Sequence, residues 1–467
     1  MKKYQRLAQQ ITEQISLGVW KPGDRLPSLR EQVTISGMSF MTVGHAYQLL
    51  ESQGRIIARP QSGYYVAPQP MKPAKAAQVT RDEAVDINSY IFGVLQASRD
   101  AAVLPFASAF PDPRLFPLQQ LNRSLAQVSK TATAMSVIEN LPPGNAELRH
   151  AIARRYAQQG MNISPDEIVI TAGALEALNL SLQAVTEPGD WVIVENPCFY
   201  GALQALERLK LKALSVASDV NEGIDMDALA QALADYPVKA CWLMTNSQNP
   251  LGFTLTAEKK AQLVALLTEH NVALIEDDVY SELYFGRDKP LPAKAWDRAD
   301  MTLHCSSFSK CLVPGFRIGW VAAGKHARRI QHLQLMSTLS TSSPMQLALV
   351  EYLGSRRYDA HLRRLRRQLA ERKQLAWQAL LRHLPAEVTI HHNDSGYFLW
   401  LELPAGLDAG ELGARALQHQ ISIAPGKMFS VTDSWRAFFR FNTAWGWSDR
   451  EEQGVKILGD LIRQMLR

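Results

Sequence analysis

Apolar residues recur at helical spacing near the start of the chain. Leu7, Ile11 and Ile15 lie on one face of a first predicted helix, and polar residues fill the positions between them. Gly18 and the turn at residues 21–24, which contains a proline and a glycine, bring this helix to an end.

A serine marks the start of each of the next two predicted helices. Ser28 and Glu31 form an S-x-x-E capping box for a short second helix, which Gly37 breaks. Ser39 opens a third helix. Its inward face is predicted to hold Val43, Ala46, Tyr47 and Leu50. Its outward positions are Phe40, Met41, Thr42, Gly44, His45 and Gln48.

A β-hairpin follows the three helices. Residues 55–59 and 63–66 have the composition of strands and flank the turn at residues 60–62. Three helices and a hairpin form a winged helix-turn-helix, in which the outward face of the third helix enters the major groove of DNA.

From about residue 100 the pattern changes to short apolar runs that alternate with helical segments. The runs lie at residues 167–171, 190–195, 239–244 and 272–275. This alternation predicts a parallel α/β sheet. Ligands bind beyond the carboxyl ends of such strands, so the residues after each run are candidates for a site.

The length of the chain and the distribution of its charge indicate the same division into a small first segment and a larger body. Its 467 residues exceed the roughly 100–200 of a typical domain. Residues 1–70 contain eight basic and four acidic side chains, which gives +4 of the total net charge of +5. A basic segment beside a neutral body favours binding of a polyanion such as double-stranded DNA. The open alternative is a solvated basic surface that docks another protein.

Several classes of protein are excluded by composition. A hydrophobic fraction of 46% and a charged fraction of 20% are typical of a globular protein. No apolar run reaches the ~18 residues of a membrane helix and residues 1–6 begin no signal peptide, so we expect a cytoplasmic protein that does not bind membranes. Four cysteines without C-x-x-C spacing predict reduced thiols and no metal site.

The chemistry-bearing residues follow the apolar runs. A glycine turn at residues 171–178 opens a helix whose free N–H groups favour an anion such as phosphate. Carboxylates end the run at residues 276–280, and Lys310 lies among hydroxyl groups shortly before Arg317. A lysine that forms a Schiff base, a carboxylate and a phosphate site together suit pyridoxal 5′-phosphate (PLP). Taken singly, Lys310 is explained equally well as a surface lysine, Asp277 as a turn cap and Arg317 as an ion-pair partner.

The first 66 residues resemble the GntR family of bacterial regulators. The resemblance rests on residues 22–30, Thr42-Val43 with Ala46-Tyr47 and Leu50, Gly54, and Arg59 with Ser62-Gly63. It implies DNA contacts, first from Arg30. The further implied DNA-binding residues are Arg25, Ser28, Thr42, His45, Ser62 and Gly63. Phe40-Met41 depart from the family, which usually has a basic or polar residue just before the Thr-Val pair, so we expect either apolar base readout there or an unusual operator.

Residues 100–467 resemble the fold-type I aminotransferases. The matching positions are Asn249-Pro250 with Gly252, Asp277 with Tyr280, residues 307–310, 314–315 and 317–319, Gly396 with residues 398–400, and Arg440. The resemblance implies that Lys310 bonds covalently to PLP and moves the α-proton of a substrate, and that Asp277 pairs with the pyridine nitrogen. Arg440 is implied to clamp a substrate carboxylate, which points to amino acids or similar zwitterions.

The remaining cofactor contacts follow from the same resemblance. Asn249 and Tyr280 are implied to bond the phenolic oxygen, and Phe199 to stack on the ring where Tyr is usual. The implied phosphate ligands are Ser307, Ser309, Arg317 and the amides of Ala174 and Leu175. Ala174 and Leu175 replace the usual polar side chains, and Ala109 stands where Gly is frequent, so a reduced cofactor affinity is expected.

The whole chain resembles the MocR subfamily of GntR-type regulators. This implies a winged helix-turn-helix at residues 1–68, a proline-containing linker at 69–88, and a fold-type I α/β domain with a smaller C-terminal α+β subdomain at 89–467. A homodimer is implied as well. The function predicted is a PLP-dependent transcription regulator that responds to an amine or amino acid. The alternative is a working aminotransferase with an accessory DNA-binding head.

Overall fold

The structure is a computed structural model in which the chain divides into two compact units, Met1–Glu83 and Ala84–Arg467. The predicted linker at 69–88 and the residues Gly18, Pro22 and Pro60-Gln61 fall outside the described part of the chain. The described residues are 2–16, 19–21, 23–59, 62–67, 91–93, 96, 100, 102–131, 133, 141–430 and 433–467.

The first unit contains the predicted three helices and hairpin. Its elements are α1 (Lys3–Ser16), α2 (Leu29–Ser36), α3 (Phe40–Ser52), β1 (Ile56–Arg59) and β2 (Gly63–Val66). The capping box is present, because Ser28 Oγ accepts from the Glu31 N–H while the Glu31 carboxylate accepts from the Ser28 N–H. Gly37 ends α2 with a φ of +65°, a left-handed conformation that glycine adopts without strain. The four predicted inward residues of α3 are fully buried.

The second unit is built on a mixed eight-stranded sheet in the order β3-β10-β9-β8-β7-β4-β5-β6. The strands are β3 (Ile168–Thr171), β4 (Trp191–Asn196), β5 (Lys212–Asp219), β6 (Gly223–Ile224), β7 (Val238–Leu243), β8 (Ala273–Asp277), β9 (Thr302–Ser307) and β10 (Gly319–Ala322). All four predicted apolar runs are strands of this sheet. The predicted α/β sheet is parallel from β9 through β8, β7 and β4 to β5, but β10 runs antiparallel to β3 and β9, and β6 runs antiparallel to β5.

The connection between β9 and β10 explains the antiparallel strand. Parallel neighbours need a crossover of about a dozen residues, usually a helix. The chain between Ser307 and Gly319 instead holds Lys310 and a 3-10 turn at Pro314–Phe316, so β10 returns beside β9 in the opposite direction.

Helices cover the large sheet, and a smaller antiparallel sheet follows it in the chain. The helices are α4 (Leu118–Thr131), α5 (Ala146–Ala157), α6 (Ala174–Val185), α7 (Tyr200–Arg208), α8 (Met226–Asp235), α9 (Ala257–Glu269), α10 (Ala327–Ser337), α11 (Ser343–Leu353), α12 (Arg357–His383), α13 (Ala409–Gln418) and α14 (Asp449–Met465). The small sheet has the order β11-β12-β14-β13, with β11 (Thr389–His391), β12 (Phe398–Glu402), β13 (Ala424–Pro425) and β14 (Phe438–Asn442).

Candidate functional site

The segments that follow the strands of the large sheet enclose a cavity of about 290 Å³. All ten residues that the sequence predicts as cofactor ligands line it, from Ala174 on α6 to Arg317 before β10. Parallel strands deliver these segments to one edge of the sheet, so residues more than a hundred positions apart in sequence become neighbours.

Lys310 lies in the turn after β9, and its side chain is partly buried. Its Nζ donates to the carbonyl of Ala109 at 2.8 Å and lies 3.7 Å from the centroid of the Phe110 ring. Burial, and secondly the charge of Arg440, lower the pKa of Lys310 to about 7, while Asp277 opposes this shift. A large share of this amine is therefore neutral and nucleophilic at neutral pH.

Asp277 is the last residue of β8 and is buried. Its Oδ1 has no hydrogen-bond partner among the described residues. Burial and the neighbouring charge of Asp278 raise the pKa of Asp277 to about 7, against the attraction of Lys310. A buried carboxylate of this kind suits a protonated ring nitrogen as its missing partner.

Gly173, Arg317 and the start of α6 form the predicted phosphate site. Gly173 has a φ of +85°, and a Cβ there would lie 2.8 Å from Nη2 of Arg317, so only glycine admits the guanidinium. Arg317 Nη2 donates to the Ala172 carbonyl at 3.1 Å. No side chain caps the start of α6, which keeps its N–H groups available to an anion.

Two serines complete this side of the cavity. The Ser307 Oγ accepts from the Ser309 N–H at 3.3 Å. The Ser309 Oγ is buried and has no partner within the described residues. The cavity therefore presents a hydroxyl, a guanidinium and helix-end amides together, which are the donors that a phosphate requires.

Arg440 lies on β14 and contacts the cavity through a hydrogen bond to the cavity-lining residue Asn249. Its Nη1 donates to Asn249 Oδ1 at 2.7 Å, while its Nη2 donates to the Ala107 carbonyl at 2.7 Å. The guanidinium carbon is 4.2 Å from the ring centroid of Phe398. Burial lowers the pKa of Arg440, and its Nε lacks a partner in the described structure. Arg440 does not itself line the cavity, although Asn249 does.

Two aromatic residues shape the cavity walls. Phe199 immediately precedes α7, and a Cβ at Gly201 would lie 2.4 Å from its ring, so the missing side chain leaves room for that ring. Tyr280 is buried with its ring edge against Tyr397, and burial raises the pKa of its hydroxyl, which stays protonated.

The residues predicted to contact DNA lie on the first unit in two groups. Arg30 is exposed on α2, and on α3 the Thr42 Oγ1 is 2.8 Å from the Ser39 Oγ while His45 is exposed beside the Tyr4 ring. On the hairpin, Ser62 Oγ lies 2.7 Å from Tyr65 Oη.

Two of these predicted DNA contacts also have structural roles. Arg25 forms an isolated antiparallel β-bridge with Tyr65 of β2, and its guanidinium lies beside Gly63. Ser28 Oγ is engaged in the capping box of α2.

PLP fits the cavity on the evidence of its unpartnered atoms. Asp277 Oδ1 and Ser309 Oγ are buried polar atoms of cavity-lining residues that lack a hydrogen bond among the described residues. Buried polar groups are rarely left unsatisfied, and each exception calls for an explanation. The ring nitrogen and the phosphate of PLP would supply the partners that these two atoms lack.

Two family models match the two units. "Aminotransferase class I and II" matches residues 113–456, and "Bacterial regulatory proteins, gntR family" matches residues 3–66. This chain belongs to both families. It is a GntR-type transcriptional regulator with an aminotransferase-like domain, which is the MocR-type architecture.

Relatives of this regulator cover its full length. It is 83% identical to the HTH-type transcriptional regulator YdcR of Escherichia coli (strain K12) over 100% of both chains. It is 33% identical to YjiR of the same organism, over 99% of each. The 2-aminoadipate transaminase of Thermus thermophilus is 30% identical over 81% of this chain and 94% of its own.

Solved structures resemble the aminotransferase-like part of the regulator. The multiple substrate aminotransferase from Thermococcus profundus has a TM-score of 0.75 and 25% identity, over 82% of this chain and 96% of its own. The α-aminoadipate aminotransferase LysN from Thermus thermophilus has a TM-score of 0.73 and 29% identity, over 80% and 95%. These likenesses support the fold-type I assignment, whose fold implies PLP dependence.

Sequence reasoning missed some contacts of the regulator's site. Phe110 lies against the Lys310 amine, and the Tyr397 hydroxyl donates to the Ala109 carbonyl at 2.9 Å. These contacts join positions about 200 and 288 apart in sequence, so no local pattern could reveal them.

Two further properties concern the described residues of the regulator. None of its helices there has the length and apolar composition for crossing a bilayer. In the same part of the chain, His, Cys, Asp and Glu side chains form no group of three suited to a metal.

Proposed function

We propose that this protein is a transcription regulator whose response to an amine or amino acid depends on PLP held at Lys310. The observation that carries the proposal is the meeting, in one cavity, of the Lys310 amine, the buried Asp277 Oδ1 that is unpartnered among the described residues, and the phosphate donors Ser309 and Arg317. The same chain carries a winged helix-turn-helix. A sequence-reading head joined to an amine-reactive site serves regulation better than catalysis alone.

The cofactor supplies one chemistry when bound, which is an aldehyde that condenses with amines and a ring that accepts electrons. Asp277 would hold the proton on the ring nitrogen, and Asn249 and Tyr280 would bond the phenolic oxygen. Phe199 would stack on the ring. The phosphate would be held by Ser307, Ser309, Arg317 and the amides of Ala174 and Leu175.

The chain's own residues orient the effector. Arg440 has one buried N–H group without a described partner and would hold a carboxylate there, which selects amino acids over simple amines. Lys310, once its amine is free, can accept a proton at Nζ because its pKa is about 7. Asn249 fixes the Arg440 guanidinium through the bond at 2.7 Å.

The DNA-binding part of the proposal rests on the first unit. Arg25, Arg30 and Thr42 would contact the phosphate backbone or base edges of double-stranded DNA. His45 and the wing residues Ser62 and Gly63 would add contacts at the edges of the site. We assign residues 1–68 to this domain, 69–88 to a linker, and 89–467 to the effector domain. We place the protein in the cytoplasm as a homodimer, because it acts on DNA and because fold-type I sites typically lie between two subunits.

A second function is favoured by the intact constellation of Lys310, Asp277 and Arg440, which is what an active aminotransferase needs. Titration of the PLP-loaded protein with a panel of amino acids tests it by absorbance. Conversion of the cofactor to its aminated form would establish at least half of a transamination reaction. Its absence with every amino acid would leave regulation alone.

Two experiments test the proposed regulator. Borohydride reduction of the PLP-loaded protein followed by mass spectrometry should find a pyridoxyl adduct on Lys310 and none in Lys310→Ala. Footprinting on DNA upstream of its own gene should then show protection that changes between the loaded wild type and that variant. The proposal is wrong if DNA is protected in no state, or if the adduct lies elsewhere.

A further inference from the structure

A line of buried hydrogen bonds runs behind Asp277, on the side away from the PLP cavity. The Trp320 Nε1 donates to the Tyr156 hydroxyl at 2.9 Å, and that hydroxyl lies 2.7 Å from His304 Nδ1. His304 Nε2 lies 2.9 Å from Asp278 Oδ2. Asp277 lines the PLP cavity, whereas Asp278, His304, Tyr156 and Trp320 line a separate small cavity, so the two adjacent carboxylates face different sides.

Proton counting fixes the direction of these bonds. The Trp320 N–H can only donate, so the Tyr156 oxygen accepts from it and gives its own proton to His304 Nδ1. His304 is then a neutral imidazole that carries its proton on Nε2 and donates to Asp278. The opposite tautomer would leave the Tyr156 hydroxyl without an acceptor among the described residues. Three donors in series therefore end on one oxygen of Asp278.

The other carboxylate oxygen of Asp278 also accepts a hydrogen bond. Asn246 Nδ2 donates to Asp278 Oδ1 at 3.1 Å. Lys260 Nζ donates to Asn246 Oδ1 at 2.6 Å, and because an ammonium cannot accept, the amide must point its nitrogen at Asp278. Tyr156, His304, Asn246 and Asp278 are all buried. Both oxygens of Asp278 accept hydrogen bonds, which is the pattern of an ionised carboxylate.

We propose that Tyr156, His304 and Asn246 are positioning residues that hold Asp278 as a buried anion behind Asp277, so that Asp277 keeps the ring nitrogen of bound PLP protonated. The negative charge of Asp278 adds to the negative potential that Asp277 creates at the ring nitrogen, and negative charge nearby in a low dielectric favours the protonated, cationic form of that nitrogen. The other titratable groups that face Asp277 are Lys310, which acts in the opposite direction, and Glu195, Tyr280 and Cys305, whose pKa values are raised by burial, which favours their neutral forms. This inference rests on the proposed PLP site and adds residues that do not touch the cofactor.

The test is the protonation of the ring nitrogen, read by NMR in protein loaded with PLP labelled with ¹⁵N in the ring. In wild type we expect a protonated nitrogen up to high pH. In Asp278→Asn and His304→Phe the midpoint for losing that proton should fall by about one pH unit or more, a change of at least tenfold. Tyr156→Phe removes one hydroxyl and little volume, and should shift the midpoint in the same direction, which keeps the test available if His304→Phe does not fold.

A matched control is His383→Phe, which breaks a histidine–carboxylate pair of the same kind, 2.7 Å from Glu452, between α12 and α14. It should leave the ¹⁵N midpoint unchanged. Variants of Asp278, His304 and Tyr156 that bind PLP and keep the wild-type midpoint would overturn this inference and leave the proposed function intact. Failure of the wild type to bind PLP would overturn both.

Discussion

At the scale of single residues, the cavity shifts the pKa values of Lys310 and Asp277 toward each other. The same burial lowers the pKa of Lys310 and raises that of Asp277, because desolvation disfavours whichever form is charged. An unperturbed lysine at pH 7 is neutral in well under about 0.1% of molecules, whereas one with a pKa of about 7 is neutral in about half. The cavity thus converts an inert ammonium into a nucleophile.

Lys310 should therefore react selectively with a small acylating reagent in the cofactor-free protein. The neutral fraction rises with pH through a midpoint near 7, so the labelling rate of Lys310 should increase from pH 5 to 8 and then level off. Peptide mass spectrometry at limiting reagent measures the rate for each lysine. A rate for Lys310 that still rises steeply above pH 9, as expected for an unperturbed lysine, would contradict the shift.

Gly173→Ala should weaken PLP binding, because its Cβ would lie 2.8 Å from the Arg317 guanidinium. We expect at least a tenfold loss of affinity, since a displaced charge-assisted bond to phosphate is worth roughly 1.5–3 kcal/mol. Gly189→Ala is the matched control: its φ of +95° imposes similar backbone strain, but no atom lies within 4 Å of the added Cβ. Cofactor titration by fluorescence should show normal affinity in the control. Equal losses in both variants would assign the effect to strain alone.

At the scale of elements, Ser28 has two assigned roles that a pair of variants separates. Ser28→Ala removes the cap of α2 and should cost about 1 kcal/mol of helix stability. Ser28→Asp keeps a capping oxygen but adds a negative charge next to the DNA. Hydrogen exchange of the α2 amides should therefore speed up in the alanine variant only. If Ser28 also contacts phosphate, DNA affinity should fall most in the aspartate variant.

The first turn of α3 carries an apolar edge that should determine operator sequence. Phe40 is 52% exposed and Met41 67%, while Gly44 has no side chain to hold the helix away from a groove. Apolar side chains can contact the 5-methyl group of thymine, so we expect this edge to read it. Replacing single thymines by deoxyuridine in a selected operator should weaken binding about fourfold at one or two positions, since burying one methyl group is worth roughly 0.8 kcal/mol.

Met41→Ala should lose that sensitivity to the methyl group. Ile57→Ala, which truncates an exposed apolar residue on the wing, should keep it. Uniform binding to every deoxyuridine-substituted operator would show that this edge of α3 does not read thymine.

Elements with local signals were predicted well from the sequence, and those set by distant partners were not. The capping box at Ser28, the left-handed Gly37 and the inward face of α3 depend on neighbours within seven residues, so the chain encodes them directly. The antiparallel direction of β10 depends on the strands with which it pairs, β3 and β9. The polar partners of Asp278, such as His304 and Tyr156, come from separate elements, and no spacing rule connects them.

At the scale of the whole molecule, two compact units with different chemistry share one chain. The family match at residues 3–66 and that at 113–456 have no residues in common, so the proposed reading of DNA and the proposed reaction with amines belong to separate parts of the chain. In the proposed function, the regulatory signal is therefore a coupling free energy between the units. An amine changes DNA binding only if it has different affinities for the DNA-bound and DNA-free forms.

Thermodynamic linkage makes this coupling measurable from both ends. If a given amino acid changes the affinity of the PLP-loaded protein for its operator by a factor, then operator DNA must change the affinity for that amino acid by the same factor. We expect a factor between about 5 and 150, the usual range of 1–3 kcal/mol. Fluorescence anisotropy of labelled DNA gives one side, and absorbance titration of the cofactor gives the other. Lys310→Ala should still bind DNA through the first unit, but its affinity should no longer respond to the amino acid. If the wild type binds both ligands but neither ligand changes the affinity for the other, the two units are not coupled. The second unit would then be an enzyme tethered to a DNA-binding head.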